Sequence, residues 1–209
     1  MRVVKEHNER KNEILDAAEM LFSSKGYEKC TVNDILKVVG IAKGTFYHYF
    51  KSKEEVLDAI IERVTDLIKE RADKIMNAED MAPEQKLLGI FLSMNVEQEV
   101  TGSLTEELHK TENALMHQKS LSSGVMKIAP MLAEVVEEGV RQGDFQSEYP
   151  LQYMQIFLTS ASMLLDEGVF QIEAEEKMEM LKELLTLLAK MLGVPAEQIL
   201  SIAGAYLGG

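Results

Sequence analysis

Apolar side chains recur at three- and four-residue spacing along most of the chain, the rhythm of helices that bury one face. Ile14, Ala18, Leu21 and Phe22, with Leu15 beside them and Lys11, Asp16 and Glu19 outside, predict a first helix from about Asn8 to Ser24, ended by Gly26. Tyr27 then packs back on the small core that this helix begins. Thr31 precedes Val32, Ile35, Leu36 and Val39, and Asp34 stands three residues after it, a capping-box spacing with Asp in place of Glu or Gln. Gly40 can take the left-handed conformation and stops that second helix. A third helix, Thr45 to about Phe50 with Gly44 at its start, is too short to stand alone. Phe46 and Phe50, four apart, must therefore be buried to hold it, and the expected small core is Leu15, Ala18, Phe22, Ile35, Val39, Phe46 and Phe50. Ser52-Lys53-Glu54-Glu55 reads as a second capping box. It opens a long helix from Lys53 to about Met76, striped by Val56, Leu57, Ile60, Ile61, Val64, Leu67, Ile68 and Ile75.

After a break at 77–83, further helices are predicted at about 83–100, 104–118, 125–142, 150–170, 174–192 and 196–207. Thr101-Gly102-Ser103, the Ser-rich stretch Ser120 to Gly124, Gln142-Gly143-Asp144, Tyr149-Pro150 and Gly193-Val194-Pro195 separate them. The expected fold is all-α: an N-terminal three-helix head over residues 1–52 and a helical body over 53–209, joined by the connecting helix 53–76.

Composition agrees with a folded helical chain: 209 residues with only four Pro and 46% apolar residues. The single Cys30 allows no internal disulfide and suits a reducing compartment. The N-terminus lacks an apolar signal core, and no run of about 18 apolar residues predicts a membrane span; the expected location is cytoplasmic. The net charge of −13 first argues against a nucleic-acid partner. Residues 1–53, however, hold ten Lys or Arg against seven Asp or Glu, whereas the remainder holds 12 against 28, giving +3 and −16. DNA contact would thus be confined to the head, although an acidic body also serves plain solubility.

Two short helices around a tight turn form a helix-turn-helix, with residues 44–50 as its recognition helix. With Phe46 and Phe50 inward, the other face carries Thr45, Tyr47, His48 and Tyr49, flanked by Lys43, Lys51 and Lys53, a set suited to phosphates and base edges. Tyr47 and Tyr49 could instead be head-core aromatics, but both cannot face inward with Phe46 and Phe50. His48 has no Cys or carboxylate at ligand spacing, which disfavours a metal role.

In the body, Leu181, Leu184, Leu185, Leu187, Leu188, Met191 and Leu192 cover more than the ~100° stripe that one core face needs. The excess is either buried within one chain or spent on a homodimer through helices 150–170 and 174–192; the symmetry of half-site reading favours the dimer. The body also holds 11 of the 13 Met, and Met-rich linings suit irregular apolar ligands. A pocket near Phe91, Met94, Leu108, Met126, Tyr153 and Phe157 is the candidate ligand site, against the plainer reading that Met fills a helical core. Glu106 and His109 have the i, i+3 spacing of carboxylate-bridged metal bundles. No second Glu-x-x-His accompanies them and His117 lacks a Glu three residues before it, so a polar helix face is expected and no metal site. No Gly-rich phosphate loop, nucleophile elbow or zinc-protease signature occurs; neither enzymatic activity nor a cofactor is expected.

The run Gly26-Tyr27, Thr31, Ile35, Gly40-Ile41-Ala42-Lys43-Gly44, Thr45-Phe46-Tyr47-His48-Tyr49-Phe50, Lys51-Ser52-Lys53-Glu54 closely resembles the head of the TetR family of bacterial transcriptional repressors. The body resembles that family only in length and helical character. The resemblance implies a homodimer whose heads bind a double-stranded DNA operator and whose C-terminal domain takes a small-molecule effector. By position it implies that Thr31 bonds a phosphate, that Lys43, Gly44 and Thr45 approach base edges, that Tyr47, His48 and Tyr49 meet phosphates or bases, and that Lys53 holds a flanking phosphate. The rival from another class is a DNA-organising or partner-binding protein that uses the same head without an effector. A fully packed body would favour that rival, and an apolar cavity the sensor.

Overall fold

The structure, a computed structural model, describes residues 7–94 and 113–207. Among the described residues there are nine helices and no strand: α1 (His7–Lys25), α2 (Val32–Val39), α3 (Lys43–Tyr49), α4 (Lys53–Met76), α5 (Pro83–Ser93), α6 (Ala114–Gln142), α7 (Pro150–Leu164), α8 (Ala174–Leu192) and α9 (Ala196–Leu207). They are all-α, as expected, and fall into two compact units. The first unit takes residues up to Val64 together with the stretch that ends at Ser120; the second takes the rest.

In the first unit, Ile14, Leu15, Ala18 and Phe22 of α1 pack with Tyr27, Cys30, Ile35, Phe46 and Phe50. Val56, Leu57, Ile60 and Ile61 of α4 and Met116 of α6 complete the cluster. Val39 is only half-buried and packs at its edge. α1 ends at Gly26, which has a positive φ of 87°, and its amide donates to the Phe22 carbonyl at 3.0 Å. The Phe22 and Tyr27 rings meet edge to face at 5.0 Å. Asn113, almost fully buried, accepts the Tyr27 amide hydrogen on Oδ1 at 2.6 Å and donates from Nδ2 to the Phe22 carbonyl at 3.5 Å. One side chain thus satisfies the Tyr27 amide at a buried helix end, where an unmet group is costly, and adds a second donor to the Phe22 carbonyl. Arg63 of α4 binds Asp16 at 2.6 Å and also Glu19, both on α1.

In the second unit, α5 to α9 and the later part of α4 enclose an apolar cluster that includes Leu87, Leu88, Ile90, Phe91, Ile128, Leu132, Phe157, Leu185 and Leu188. Two predicted boundaries are corrected. Residues Ser120 to Gly124 do not interrupt a helix: α6 runs through them and through Pro130. Gly124 is buried, with Met94 the side chain nearest to where its Cβ would be, and Ile128, Ala129, Met131 and Leu132 are buried beyond it; packing of that face outweighs weak local helix propensity. The helix predicted to reach residue 170 ends at Leu164. Asp166 stops it, because its Oδ1 accepts the amides of Gly168 at 2.8 Å and Val169 at 3.0 Å, a local alternative to continuing the helix. The predicted helix at 104–118 lies largely outside the described residues, and of 83–100 the described part is helical to Ser93.

Gly139 is required by close packing, since a Cβ there would stand 2.3 Å from the Phe145 ring. Lys86, 7% exposed, reaches Glu138 at 3.1 and 3.3 Å. Among the described residues no helix is long and apolar enough to cross a membrane.

Candidate nucleic-acid interface

The interface begins at the start of α2. Thr31 caps it with extended backbone, and its hydroxyl oxygen accepts the Asp34 amide at 3.3 Å. Asp34 returns the bond, accepting the Thr31 amide at 2.9 Å and the Thr31 hydroxyl at 2.7 Å. Lys25, from the last turn of α1, donates to the same carboxylate at 2.7 Å. The Lys25 ammonium and the Thr31 hydroxyl and amide together hold the Asp34 carboxyl far below the usual carboxylate range. The cap was legible in the sequence; the lysine was not, because nine residues and a helix end separate it from Asp34. A cap of this kind occupies the N-cap and N3 amides, while the N1 and N2 amides of any helix lack an intrahelical partner and suit an anion.

The turn follows from Gly40, whose φ of 71° only glycine adopts readily; its amide and that of Ile41 donate to the Leu36 carbonyl at 2.9 and 3.2 Å. α3 starts at Lys43 and ends at Tyr49, with Phe50 as its C-cap in extended conformation. Phe46 is completely buried and Phe50 nearly so, their rings 6.1 Å apart. That anchoring turns the remaining side chains outward: Lys43, Gly44, Tyr47 and His48 are exposed, and Thr45 and Tyr49 are half-buried. The Lys43 ammonium lies 5.8 Å from the Tyr47 ring centroid. A Cβ on Gly44 would meet nothing within 4 Å, so no packing within the chain demands a glycine there.

At the start of α4, Ser52 accepts the Glu55 amide at 3.1 Å, while the Glu55 carboxylate accepts the amide of Lys51, one residue before the partner that a capping box would use. Lys53 is half-buried. Its ammonium donates to the Tyr27 carbonyl at 2.7 Å and sits 4.1 Å from the Tyr27 ring centroid. The residue expected to hold a flanking phosphate therefore already bonds the turn after α1. Thr31, Lys43 to Tyr49 and Lys53 all belong to the first unit. Cys30, beside Thr31, is buried, and that burial pushes its thiol up, away from the reactive thiolate.

The residues proposed as a ligand pocket come together only in part. Phe91 and Phe157 touch, ring centroids 4.9 Å apart, and both are buried. Met94 and Tyr153 are half-buried against the same cluster. Met126 does not join them; it is 65% exposed on α6, because the helix turns Val125, Ile128 and Ala129 inward instead. Leu108, and the pair Glu106 and His109, lie outside the described residues. A separate shallow groove of about 360 Å³ is lined by Gln85, Ser201, Ile202, Ala205 and Tyr206.

Comparison with known proteins bears on both units. A family model described as bacterial regulatory proteins, tetR family, matches residues 14–60. A second, described as a tetracyclin repressor-like C-terminal domain, matches residues 95–184. The HTH-type transcriptional repressor KstR2 of Mycolicibacterium smegmatis is 26% identical over 161 residues, covering 71% of this chain and 74% of that protein. The HTH-type transcriptional regulator YhgD of Bacillus subtilis, itself uncharacterized, is 30% identical over 139 residues, 65% of this chain and 71% of its own length. The crystal structure of RolR in complex with resorcinol shares the fold, with a TM-score of 0.64 at 17% identity over 94% of this chain and 93% of that one. The family and both sequence relatives are transcriptional regulators, not enzymes.

Proposed function

Because the chain belongs to the TetR family of bacterial regulatory proteins and is a DNA-binding transcriptional regulator, we propose that it works as a homodimeric repressor whose two heads occupy a palindromic operator until a small molecule binds the body. The observation that carries the DNA half of this reading is the outward strip of α3, Lys43 to Tyr49, held by two buried phenylalanines beside the capped start of α2. Lys43, Gly44 and Thr45 approach base edges; Thr31, Tyr47, His48 and Tyr49 meet phosphates or bases, and Lys53 exchanges the Tyr27 carbonyl for a flanking phosphate.

The dimer reading is supported by apolar side chains left exposed on α7 and α8. Ile156 is 52% exposed and Met178 55%, with Leu151, Met163 and Leu187 also open to solvent. Such a patch on a single chain suits a second copy, and a two-fold dimer offers two heads to half-sites about 34–36 Å apart. The effector reading is supported by RolR, a fold neighbour solved with resorcinol. An effector that prefers a body conformation with a different head spacing shifts the population off DNA. The DNA target implies a cytoplasmic place of action.

The rival, an effector-independent DNA-binding protein, is favoured by close packing of the body, of which the contact between Phe91 and Phe157 is one instance. Gel-shift titration against the DNA upstream of the protein's own gene tests the operator, and a retarded band is expected. Sedimentation tests the dimer. Ligand-screened thermal shifts, repeated on the DNA complex, separate the sensor from the rival: a compound that raises Tm and releases DNA supports the sensor.

A further inference from the structure

The first two turns of α1 bring a second basic strip to the recognition helix. His7 and Lys11 are four apart, hence on one face of α1, and both are exposed. The His7 ring lies 4.7 Å from the Tyr49 ring and 5.9 Å from the His48 ring, edge on to the latter. His48 and Tyr49 are themselves 5.1 Å apart. The Lys11 ammonium lies 5.9 Å from the ring centroid of Phe50, just past the end of α3. Two imidazoles and a phenol thus meet where α1 approaches the C-terminal end of α3, with the Lys11 ammonium one turn along α1; His48 and Tyr49 are already assigned to DNA, and His7 and Lys11 are the additions.

We propose that this cluster, His7 and Lys11 of α1 with His48 and Tyr49 of α3, is a second seat for the phosphodiester backbone of the bound duplex. The proposal rests on the DNA-binding reading of α3 and extends it to α1. The chemistry fits an anion. Imidazole N–H groups donate hydrogen bonds to phosphate oxygens, Lys11 adds a fixed positive charge, and the Tyr49 hydroxyl adds a donor. The surrounding charges agree. Arg10, next to Lys11, is turned to Glu13 at 2.7 Å, and Glu9 lies about 200° around the helix from His7. From α3 the facing groups are His48 and Tyr49.

The test uses the full chain and the variants His7→Gln, His48→Gln, Lys11→Gln and Lys11→Arg. Each is titrated by fluorescence anisotropy against a labelled mixed-sequence duplex over a range of salt. A phosphate contact needs no particular sequence, so no operator is required. Lys11→Gln should flatten the slope of log affinity against log salt by about 0.9, and Lys11→Arg should keep it. His7→Gln and His48→Gln should each weaken binding several-fold on any duplex sequence, as loss of a phosphate contact does. Melting curves of the variants should match the parent, because the substituted side chains are exposed. A parent that binds DNA, with its salt slope kept in Lys11→Gln or its affinity kept in His7→Gln, overturns the second seat and leaves the DNA reading intact. A parent that binds no duplex at low salt overturns both.

Discussion

The two units meet the same requirement, helices that must bury one face, by different means. In the first unit the helices that matter are short, eight residues in α2 and seven in α3. Their ends are fixed by discrete polar bonds: Thr31 with Asp34 and Lys25, Lys53 on the Tyr27 carbonyl, Asn113 on the turn after α1. In the second unit α8 has 19 residues and α6 continues from Leu121 to Gln142; side-chain packing dominates among the described residues, with Lys86 and Glu138 an ionic contact near its core. A reading head needs side chains at fixed positions, and short helices pinned at their ends provide that. For the proposed effector-driven change of the body, apolar contacts without directional bonds would serve better. Alterations to the first unit should therefore act sharply on DNA binding, and alterations to the second should act in graded fashion on stability.

The largest test is Phe46→Ala. Emptying a site that is completely buried should cost about 3–5 kcal/mol, abolish DNA binding in an anisotropy assay and leave much of the helical circular-dichroism signal in place. If that signal collapses in one step, the two units do not differ as described. Gly139→Ala follows. A methyl 2.3 Å from the Phe145 ring should cost about 1–3 kcal/mol by overpacking. Chemical denaturation should register the loss while the DNA affinity of the folded fraction stays unchanged. Gly44→Ala is smaller and splits two readouts. A Cβ there meets nothing in the chain, so the helix should gain up to about 1 kcal/mol, while DNA affinity should fall if the backbone approaches base edges at that point. A rise in Tm without any loss of affinity would remove Gly44 from the interface.

The smallest effect concerns pH. The Asp34 carboxyl is held down by Lys25 and Thr31, so its folded value lies below its unfolded one. Its contribution is then fully present above the ordinary carboxylate range and is lost as pH falls through and below that range. Asp34→Asn should lower Tm at pH 7, and the gap to the parent should close in strong acid. A gap that is constant across pH would mean that the bonds to Asp34 contribute nothing through its charge.

The fold class was legible in the sequence because its signals are local. Thr31, Asp34, Gly40 and Gly26 determine helix ends within a few residues of themselves, and α4 begins and stops where its apolar stripe predicts. What escaped were relations between distant residues. Asn113 meets Tyr27 across 86 positions, and no local pattern announces it. The Ser-rich stretch in α6 reads as a break until the burial of Gly124 and Ile128 is seen. The early stop of α7 rests on one Asp side chain choosing two nearby amides. At the candidate interface, the outward strip of α3 followed from the spacing of Phe46 and Phe50. The engagement of Lys53 and the approach of His7 did not, since both depend on how separate helices pack.

The bond from Asn113 to the Tyr27 amide has a practical consequence for recombination. The first unit is discontinuous in the chain: its core includes Met116 and its helix-1 turn is closed by Asn113, both far downstream of Val64. A head cut out at residue 64 would leave behind a buried side chain and the two hydrogen bonds that finish its first turn. Chimaeras that graft this head onto a foreign body would have to carry the segment 113–120 with it, or supply an asparagine and an apolar residue in the same places. Gene fusions and exchanges that treat the first 64 residues as an interchangeable cassette would be selected against here, and the seam along which this regulator could be reshuffled is two-part rather than single.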